Sequence, residues 1–224
     1  MRPWLGLRTL DELNRAARGI RTESGHALEF VAPTADPRPY EMQVFETGRG
    51  ATRPDNLHDW FNALAWLAFP RTKARMNAMH AARIPVEGKQ RGSLRDLLTV
   101  FDEGGVLVAC ADHQIERLVR EFRWKELFWT HRARVRETMG LFVIGHAALE
   151  KALEPWPGIT CKALFLSPHD SLDEQAARWL ARLPPNAKAR DLAPLPVFGY
   201  PGWAHNDRAD FYDDDRYFRQ GKAG

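Results

Sequence analysis

The segment from Asp55 to Asn77, DNLHDWFNALAWLAFPRTKARMN, limits the fold of this chain more than any other. Apolar side chains recur in it at the i, i+3, i+4, i+7 spacing of a helix face, and the other faces are mostly apolar too. A helix that is apolar on nearly all sides belongs in the interior of a protein. We therefore predict a buried central helix over 57–69. Its core positions would be Leu57, Trp60, Phe61, Leu64 and Leu67.

Three polar side chains interrupt this helix: His58, Asp59 and Asn62. His58 and Asn62 are four residues apart and share a face. Burying such groups without partners costs roughly 1–3 kcal/mol each, and more for a charge. Two interpretations stay open. The groups either form a hydrogen-bonded cluster that fixes the helix in place, or they line a functional pocket.

Composition predicts an ordinary soluble globular protein. The chain has 224 residues, of which 44% are hydrophobic and 27% are charged, and its formal charge of +3 is too small to indicate a nucleic-acid partner by itself. The two cysteines, Cys110 and Cys161, lie in apolar stretches and are typical of reduced thiols in the cytoplasm. The N-terminal residues lack the apolar core of a signal peptide, and no transmembrane run occurs. We expect a cytoplasmic protein with no membrane partner.

Helices and strands alternate irregularly along the sequence. We predict strands over 26–31, 40–45 and 160–166, a β-hairpin over 97–110 around Asp102–Gly105, and helices over 71–83, 112–122 and 172–183. Because no regular βαβ pattern occurs, α+β is the predicted class, with the central helix packed against short strands and surrounding helices. Residues 1–224 would form a single compact domain, in which 186–224 is an irregular, aromatic-rich tail that wraps the body.

Several side chains are candidates for chemistry. His146 and Glu150 lie four apart on a predicted helix that follows Gly145, so they share a face as His58 and Asn62 do. Lys162 lies inside an apolar strand, where burial would lower its pKa. The candidate catalytic residues are His58, Asp59, Asn62, His146 and Glu150, and the candidate substrate-binding residues are Arg53, Lys73 and Lys162.

These residues favour a small hydrolase-like pocket built on a His–carboxylate cluster. If the two helices meet, His58, Asp59, His146 and Glu150 would supply the ligands of a divalent metal that activates water. Without a metal, His58 or His146 would act as the general base. Both versions stay open. The substrate would be a small molecule of unknown identity, and a divalent metal is the candidate cofactor.

The alternative is a noncatalytic binding module. The stretch 117–136 is rich in arginine and has Trp124, Phe128 and Trp129 interleaved, so it could contact phosphates and stack bases, or meet an acidic protein. More often, a helix of this composition is amphipathic, with its aromatic side inward and its charges outward. The acidic residues of 207–215 could cover this basic face, within a monomer or across a homodimer.

Six blocks of the sequence carry a family resemblance. DNLHDWFNALAWLAFPRTKARMN, FDEGGVLVA, WKELFW, GHAALEKAL, TCKALFL and PVFGYPGW…FYDDDRYFR together resemble a bacterial family labelled domain of unknown function 3025, from about Tyr40 to Phe218. The resemblance implies a soluble bacterial protein and supplies no catalytic residues. The block NLHDWFNA is also weakly similar to the asparagine-bearing helix of His-Me finger endonucleases, a third functional interpretation. That pattern needs a histidine on a preceding hairpin, and the nearest one upstream is His26.

Overall fold

The computed structural model describes residues 9–88, 90–154 and 158–221. It contains nine α-helices and six strands within these ranges, in the chain order α1 (Leu10–Ala16), β1 (Glu29–Val31), α2 (Tyr40–Thr47), β2 (Arg49–Ala51), α3 (Leu57–Ala68), α4 (Pro70–Glu87), α5 (Ser93–Gly104), β3 (Gly105–Cys110), α6 (His113–Arg120), α7 (Arg132–Thr138), β4 (Met139–Val143), α8 (His146–Lys151), β5 (Thr160–Leu166), α9 (Leu172–Ala181) and β6 (Ala193–Pro196). A short π-helix covers Glu126–Thr130.

This mixture of helices with two small sheets confirms the predicted α+β class. The chain forms two compact units, and each is described by itself below. Unit 1 comprises Met1–Asp102 and Asp173–Ala189, and unit 2 comprises Glu103–Leu172 and Arg190–Gly224. The single domain over 1–224 stays a prediction. Residues 1–8, on which part of the cytoplasmic prediction depends, lie outside the described residues. No helix in the described ranges is long and apolar enough to cross a membrane.

The central helix α3 begins one residue later than a cap at Asp55 would give. Asn56 is the N-cap, and its side chain accepts a hydrogen bond from the backbone N–H of Asp59 at 2.9 Å. The C-terminal half of α3 is the buried half, since Trp66 is only 1% exposed. Leu57 is 52% exposed, so its predicted core position is wrong, because the first turn of α3 projects into solvent. Of the other predicted core positions, Leu67 is buried, and Trp60, Phe61 and Leu64 are partly buried.

Helix α4 begins at Pro70 without a capping side chain of its own. Asp173, in α9, takes that role from a distant part of the sequence. Its carboxylate accepts hydrogen bonds from the backbone N–H groups of Arg71 at 2.9 Å and Thr72 at 2.8 Å, and from the Thr72 hydroxyl at 2.7 Å. The first N–H groups of a helix have no partner within the helix, and a negative charge is favoured at that end. Asp173 therefore joins α9 to α4 within unit 1.

Two predicted strands of unit 1 are helices. Tyr40–Phe45 lies in α2, where its alternation of polar and apolar residues gave a misleading period over a short window. Leu97–Phe101 lies in α5, which excludes the predicted hairpin. The buried residues of α5 are Leu94, Leu97, Leu98 and Phe101, and their i, i+3, i+4, i+7 spacing is helical. The predicted hairpin began at Leu97 and left out Leu94, which completes that spacing.

Unit 2 contains a four-stranded sheet in the order β4-β3-β5-β6. β3 runs parallel to β5 and antiparallel to β4, and β6 is antiparallel to β5 at the sheet edge. Every residue of β3 is buried, as expected of a central strand covered on both faces. The predicted strand over 160–166 is confirmed as β5.

The C-terminal part of unit 2 is more ordered than its sequence predicts. Residues 193–196 form β6, which the interpretation of 186–224 as irregular missed, because prolines mask its alternation. The aromatic residues that follow are buried and hydrogen-bonded. Tyr217 donates through its hydroxyl to the Ile159 carbonyl at 2.9 Å and accepts from the Phe198 N–H at 3.0 Å. The Asn206 side chain donates to the carbonyls of Phe198 and Tyr200, both at 2.8 Å.

Replacing Asp173 by alanine should lower the free energy of unfolding by about 2 kcal/mol, because it leaves the backbone N–H groups of Arg71 and Thr72 without their acceptor. The Thr72 hydroxyl keeps the Asp173 backbone carbonyl as an acceptor, at 3.1 Å. Denaturant unfolding measures the change. Glu174→Ala is the matched control. Its exposed carboxylate pairs with Arg71 at 3.3 Å, so we expect a loss of about 0.5 kcal/mol or less. Equal losses for the two variants would contradict the capping role of Asp173.

Candidate acid–base site

A buried lysine is the centre of a polar cluster in unit 1. The Lys73 side chain, in α4, is only 4% exposed. Its ammonium donates to the Asn62 side-chain oxygen at 2.7 Å and forms a short ion pair with the Asp102 carboxylate. It also lies 5.8 Å from the centre of the Trp66 ring, within the range of a cation–π contact. Lys73 thus joins α3, α4 and α5 through one charge.

The cluster extends from Asn62 and Asn77 to helix α2. The Asn62 amide donates to the Tyr40 hydroxyl at 3.0 Å, and the Asn77 amide donates to the backbone carbonyl of Glu41 at 2.8 Å. Asn62 therefore uses both ends of its side chain, one on Lys73 and one on Tyr40. Such a fully used amide fixes the register of α3 against its neighbours.

A small cavity of about 10 Å³ lies inside this cluster, which is room for about one water molecule. Its polar lining comes from α2, α3, α4 and α5. The Asn77 side-chain oxygen is buried and has no hydrogen-bond partner among the described residues, so it is an acceptor available to a molecule in the cavity. The residues that line the cavity are Tyr40, Glu41, Trp66, Lys73, Met76, Asn77, His80 and Asp102.

Three groups of the cluster have displaced pKa values, and loss of water raises the pKa of the Tyr40 hydroxyl above its usual value. Loss of water and the nearby negative charge of Asp102 raise the pKa of the Glu41 carboxyl to about 7, although Lys73 acts in the opposite direction. Loss of water lowers the pKa of His80 to about 4, although Asp102 acts to raise it. At neutral pH the His80 imidazole is therefore uncharged, and the Glu41 carboxyl is divided between its two forms. A carboxyl with this pKa can both take and give a proton near pH 7.

Of the residues predicted from sequence, Asn62 and Lys73 belong to this cluster. Arg53 and Asp59 form a separate pair at the start of α3. Asp59 accepts from the Arg53 backbone N–H at 2.9 Å and from its guanidinium at 2.8 and 2.9 Å. Although loss of water acts to raise it, these contacts hold the pKa of Asp59 below its usual value. Arg53 is thus paired with a carboxylate of its own unit. His58 is partly buried in the first turn of α3.

The other predicted residues lie in unit 2. His146 is buried at the first position of α8, and Glu150 is partly buried four residues later. Lys162 is partly buried in β5, where loss of water lowers its pKa, as the sequence predicts. No group of three or more His, Cys, Asp or Glu side chains within 9–88, 90–154 and 158–221 is arranged to hold a metal ion. The predicted metal group has two members in each unit, His58 and Asp59 in unit 1 and His146 and Glu150 in unit 2, and it stays a prediction.

The basic stretch 117–136 carries its own counter-charges. Arg120 pairs with Glu116 at 2.7 Å and Arg134 with Asp112 at 2.5 Å. The acidic C-terminal segment contributes as well, since Asp213 pairs with Lys125 at 2.6 Å within the same chain. The aromatic side chains Trp124 and Phe128 are buried, as the amphipathic alternative predicts, whereas Trp129 is 37% exposed.

Sequence reasoning missed Tyr40, Glu41, Asn77, His80 and Asp102. The sequence pattern predicts a strand at the first two and a hairpin turn at Asp102. One signal was present, because Lys73, Asn77 and His80 follow the i, i+4, i+7 spacing and so place three polar groups on one face of α4. A polar stripe on the inward face of a helix is the pattern that could have identified the cluster.

The comparison with protein families supplies the affiliation of this chain. A family described as "Protein of unknown function (DUF3025)" matches residues 28–222 of the 224. The chain belongs to the DUF3025 family. This confirms the resemblance that the six sequence blocks carry, and the match includes every residue of the buried cluster. No curated protein and no solved structure matches the chain.

The opposed pKa shifts predict compensating pH dependences of stability. Folded Glu41 keeps its proton between about pH 4.5 and 7 where the unfolded chain loses it, so its contribution to stability falls as pH rises through that range. Folded His80 stays neutral between about pH 6.5 and 4 where the unfolded chain takes up a proton, so its contribution falls as pH drops. The two slopes cancel between about pH 4.5 and 6.5.

In Glu41→Gln only the pH dependence due to His80 remains. The free energy of unfolding should therefore rise by about 3 kcal/mol from pH 4 to 6.5. In His80→Gln only the pH dependence due to Glu41 remains, so the free energy of unfolding should fall by a similar amount from pH 4.5 to 7. Urea unfolding at half-unit steps of pH measures both. Glu46→Gln, an exposed change on α2 that removes a partner of Arg38, is the control and should run parallel to the wild type. If the free energy of unfolding had the same pH dependence in all variants, the opposed pKa shifts of Glu41 and His80 would be refuted.

Proposed function

We propose that this protein is a hydrolase-like enzyme that works by general acid–base catalysis at the cavity between α2, α4 and α5. The observation that carries the proposal is the convergence of five ionisable side chains from three helices on one water-sized cavity: Tyr40, Glu41, Lys73, His80 and Asp102. The reacting water would occupy that cavity. The substrate class we propose is a small ester or amide.

The energetics support a functional role for the cluster. Replacing a buried ion pair by apolar side chains of similar size is often neutral or stabilising, by about 1–4 kcal/mol. A cluster that only held helices together would therefore gain little from its charges. Ionisable groups with strongly displaced pKa values gather at catalytic sites, because chemistry near neutral pH needs them. Glu41 and His80 both fit that description.

Five residues have proposed roles, which their contacts support. Glu41, as the carboxylate, removes a proton from the water, whose oxygen then attacks the carbonyl carbon of the substrate. The carbonyl oxygen becomes an oxyanion, and the Lys73 ammonium stabilises it. When the tetrahedral intermediate collapses, the Glu41 carboxylic acid returns the proton to the leaving group. Asp102 and Asn62 hold the ammonium in place, and Asn77 offers its free oxygen to the water.

Access to the cavity is part of the proposed reaction. At about 10 Å³ the cavity holds water and no substrate group, so part of its wall must move before an acyl group can approach Lys73. The acyl group would be small. Because this opening exposes a buried charge, it would occur only for a short part of each cycle.

The alternative functions gain less support. The basic stretch 117–136 is balanced by carboxylates of its own unit, so it offers fewer charges to a nucleic acid or an acidic protein than its sequence suggests. His58 and His146 are not members of the cluster. The predicted cytoplasmic location has support from Cys110 and Cys161, which are free, buried thiols. Loss of water raises the pKa of Cys161 to about 12, which disfavours it as a nucleophile.

The proposal is tested with 4-nitrophenyl acetate and 4-nitrophenyl butyrate, whose hydrolysis is followed by the release of nitrophenolate from pH 5 to 9. We expect the wild type to hydrolyse the acetate faster than the butyrate, with a rate that rises through a midpoint near pH 7. Glu41→Gln should lose at least about 100-fold in rate and lose the midpoint. The control Glu46→Gln, on the same helix, should keep both. A wild type no faster than buffer, or a Glu41→Gln variant with unchanged hydrolysis, would refute the function.

The double variant Lys73→Met with Asp102→Leu separates catalysis from architecture. Removing both charges together leaves no unpaired charge in the interior, so the free energy of unfolding should stay within about 2 kcal/mol of the wild type or rise. Ester hydrolysis should be lost. Lys73→Met alone should lose about 3–5 kcal/mol, because Asp102 keeps a buried charge without its counter-ion. A double variant that folds and retains full hydrolysis would show that the pair is architectural.

A further inference from the structure

A cleft of about 780 Å³ lies in unit 2, and the proposed acid–base site does not use it. Its walls combine aromatic rings with arginines, a composition typical of sites for small ligands that have both a flat apolar part and a negative charge. The cleft is lined by Phe122, Trp124, Gly158, Thr160, Pro194, Pro196, Asp214, Arg216, Tyr217, Arg219, Gln220 and Gly221.

Phe122 stands at a backbone position that normally belongs to glycine. Helix α6 ends in a Schellman motif, in which the Arg123 N–H bonds to the Leu118 carbonyl at 2.9 Å and the Phe122 N–H bonds to the Val119 carbonyl at 3.1 Å. In this motif the residue before Arg123 takes a left-handed conformation. That residue is Phe122, and its φ is 59°. A side chain with a Cβ atom is strained there, whereas glycine is not.

The strained Phe122 presents its ring to the cleft. The ring lies edge to face with Trp124, with centroids 5.6 Å apart and an interplanar angle of 75°. Phe122 is only partly buried, so its packing is incomplete. Strain of this kind persists where a side chain is needed at a set position, and it recurs at ligand sites. The half-covered ring is a stacking surface for a flat ligand.

Arg219 supplies an available positive charge. Its guanidinium Nε donates to the backbone carbonyl of Arg216 at 3.1 Å, and it forms no ion pair with any described residue. Its own carbonyl accepts from the Trp124 indole N–H at 2.8 Å, which holds this segment beside the aromatic wall. The neighbouring Arg216 is engaged, since Asp214 binds it at 3.0 and 3.1 Å. Arg219 is therefore the cation that a ligand would meet.

The edge strand β6 favours a small molecule over an extended peptide. Pro194 and Pro196 lie in β6 and line the cleft. A proline has no N–H to donate, and prolines on an edge strand block the addition of a further strand. At these two positions β6 therefore offers no backbone N–H to a peptide strand.

We propose that this cleft binds a small, planar, aromatic anion. Its ring stacks on Phe122, and its carboxylate, sulfonate or phosphate group forms a charge-assisted hydrogen bond with Arg219. This ligand site is separate from the cavity of unit 1 in its residues and in its chemistry. Its failure in a test would leave the proposed hydrolysis untouched.

A matched pair of fluorescent probes tests the site. 8-Anilinonaphthalene-1-sulfonate is a planar aromatic anion, and N-phenyl-1-naphthylamine has the same aromatic body without the charge. We expect saturable 1:1 binding of the anion to the folded protein, and binding of the neutral probe about tenfold weaker or more. Arg219→Gln should weaken the anion by about tenfold and leave the neutral probe unchanged. Arg208→Gln is the control, since that exposed arginine pairs with Asp210 and does not line the cleft.

Phe122→Gly tests the aromatic wall. Glycine fits the left-handed backbone at this position, so the variant should melt cooperatively within a few degrees of the wild type while losing both probes. If it failed to fold, Phe122→Leu would replace it, and the same loss of both probes is expected. The proposal is overturned if the anion shows no saturable binding, if the neutral probe binds the wild type equally well, or if Arg219→Gln binds the anion as the wild type does.

Discussion

The buried charge of Lys73 is the interaction on which unit 1 depends. An ammonium that is 4% exposed has lost nearly all its water, and only close oxygen acceptors make that state tolerable. Asn62 and Asp102 supply these oxygens from two other helices. The positions of α3 and α5 relative to α4 are thus set by one group that cannot be left without partners. Apolar packing around Trp66 adds stability, but it tolerates small displacements in a way that this charge does not.

Loss of water is the largest cause of the raised pKa of Glu41, and the arrangement of Lys73 and Asp102 adds to it. Lys73 already has Asp102 as its close counter-ion, so a second carboxyl nearby gains little from the lysine and is repelled by the aspartate. Together with the larger effect of lost water, this repulsion keeps the carboxyl protonated up to about pH 7. The burial and the ion pair that organise the helices therefore also produce the proposed proton carrier. If Lys73 had only Asp102 beside it, the two would form a stable ion pair, and no carboxyl group would exchange a proton near pH 7.

The sequence revealed the parts of this cluster that lie in long, strongly periodic segments. Helix α3 is apolar enough to be recognised, so the polar exception Asn62 was evident, and Lys73 followed in the adjoining block. Glu41 and Asp102 were missed because α2 is eight residues long and α5 was joined to the strand after it. A period of 2 and a period of 3.6 are hard to separate over such short windows. Partners that lie far apart in sequence, such as Asp173 and Thr72, leave no local signal.

Phe122 illustrates a different limit of sequence reasoning. In the sequence, Phe122 continues the apolar face of the amphipathic helix α6, so it is interpreted as one more core residue. Only the backbone shows that the position is left-handed and that glycine would fit without strain. The Schellman bonds remain in place despite the phenylalanine, so the helix end is fixed by Leu118, Val119 and the segment that follows. The ring is consequently held where it is, half-covered beside Trp124. A preformed aromatic surface of this kind reduces the entropy that a flat ligand loses on binding.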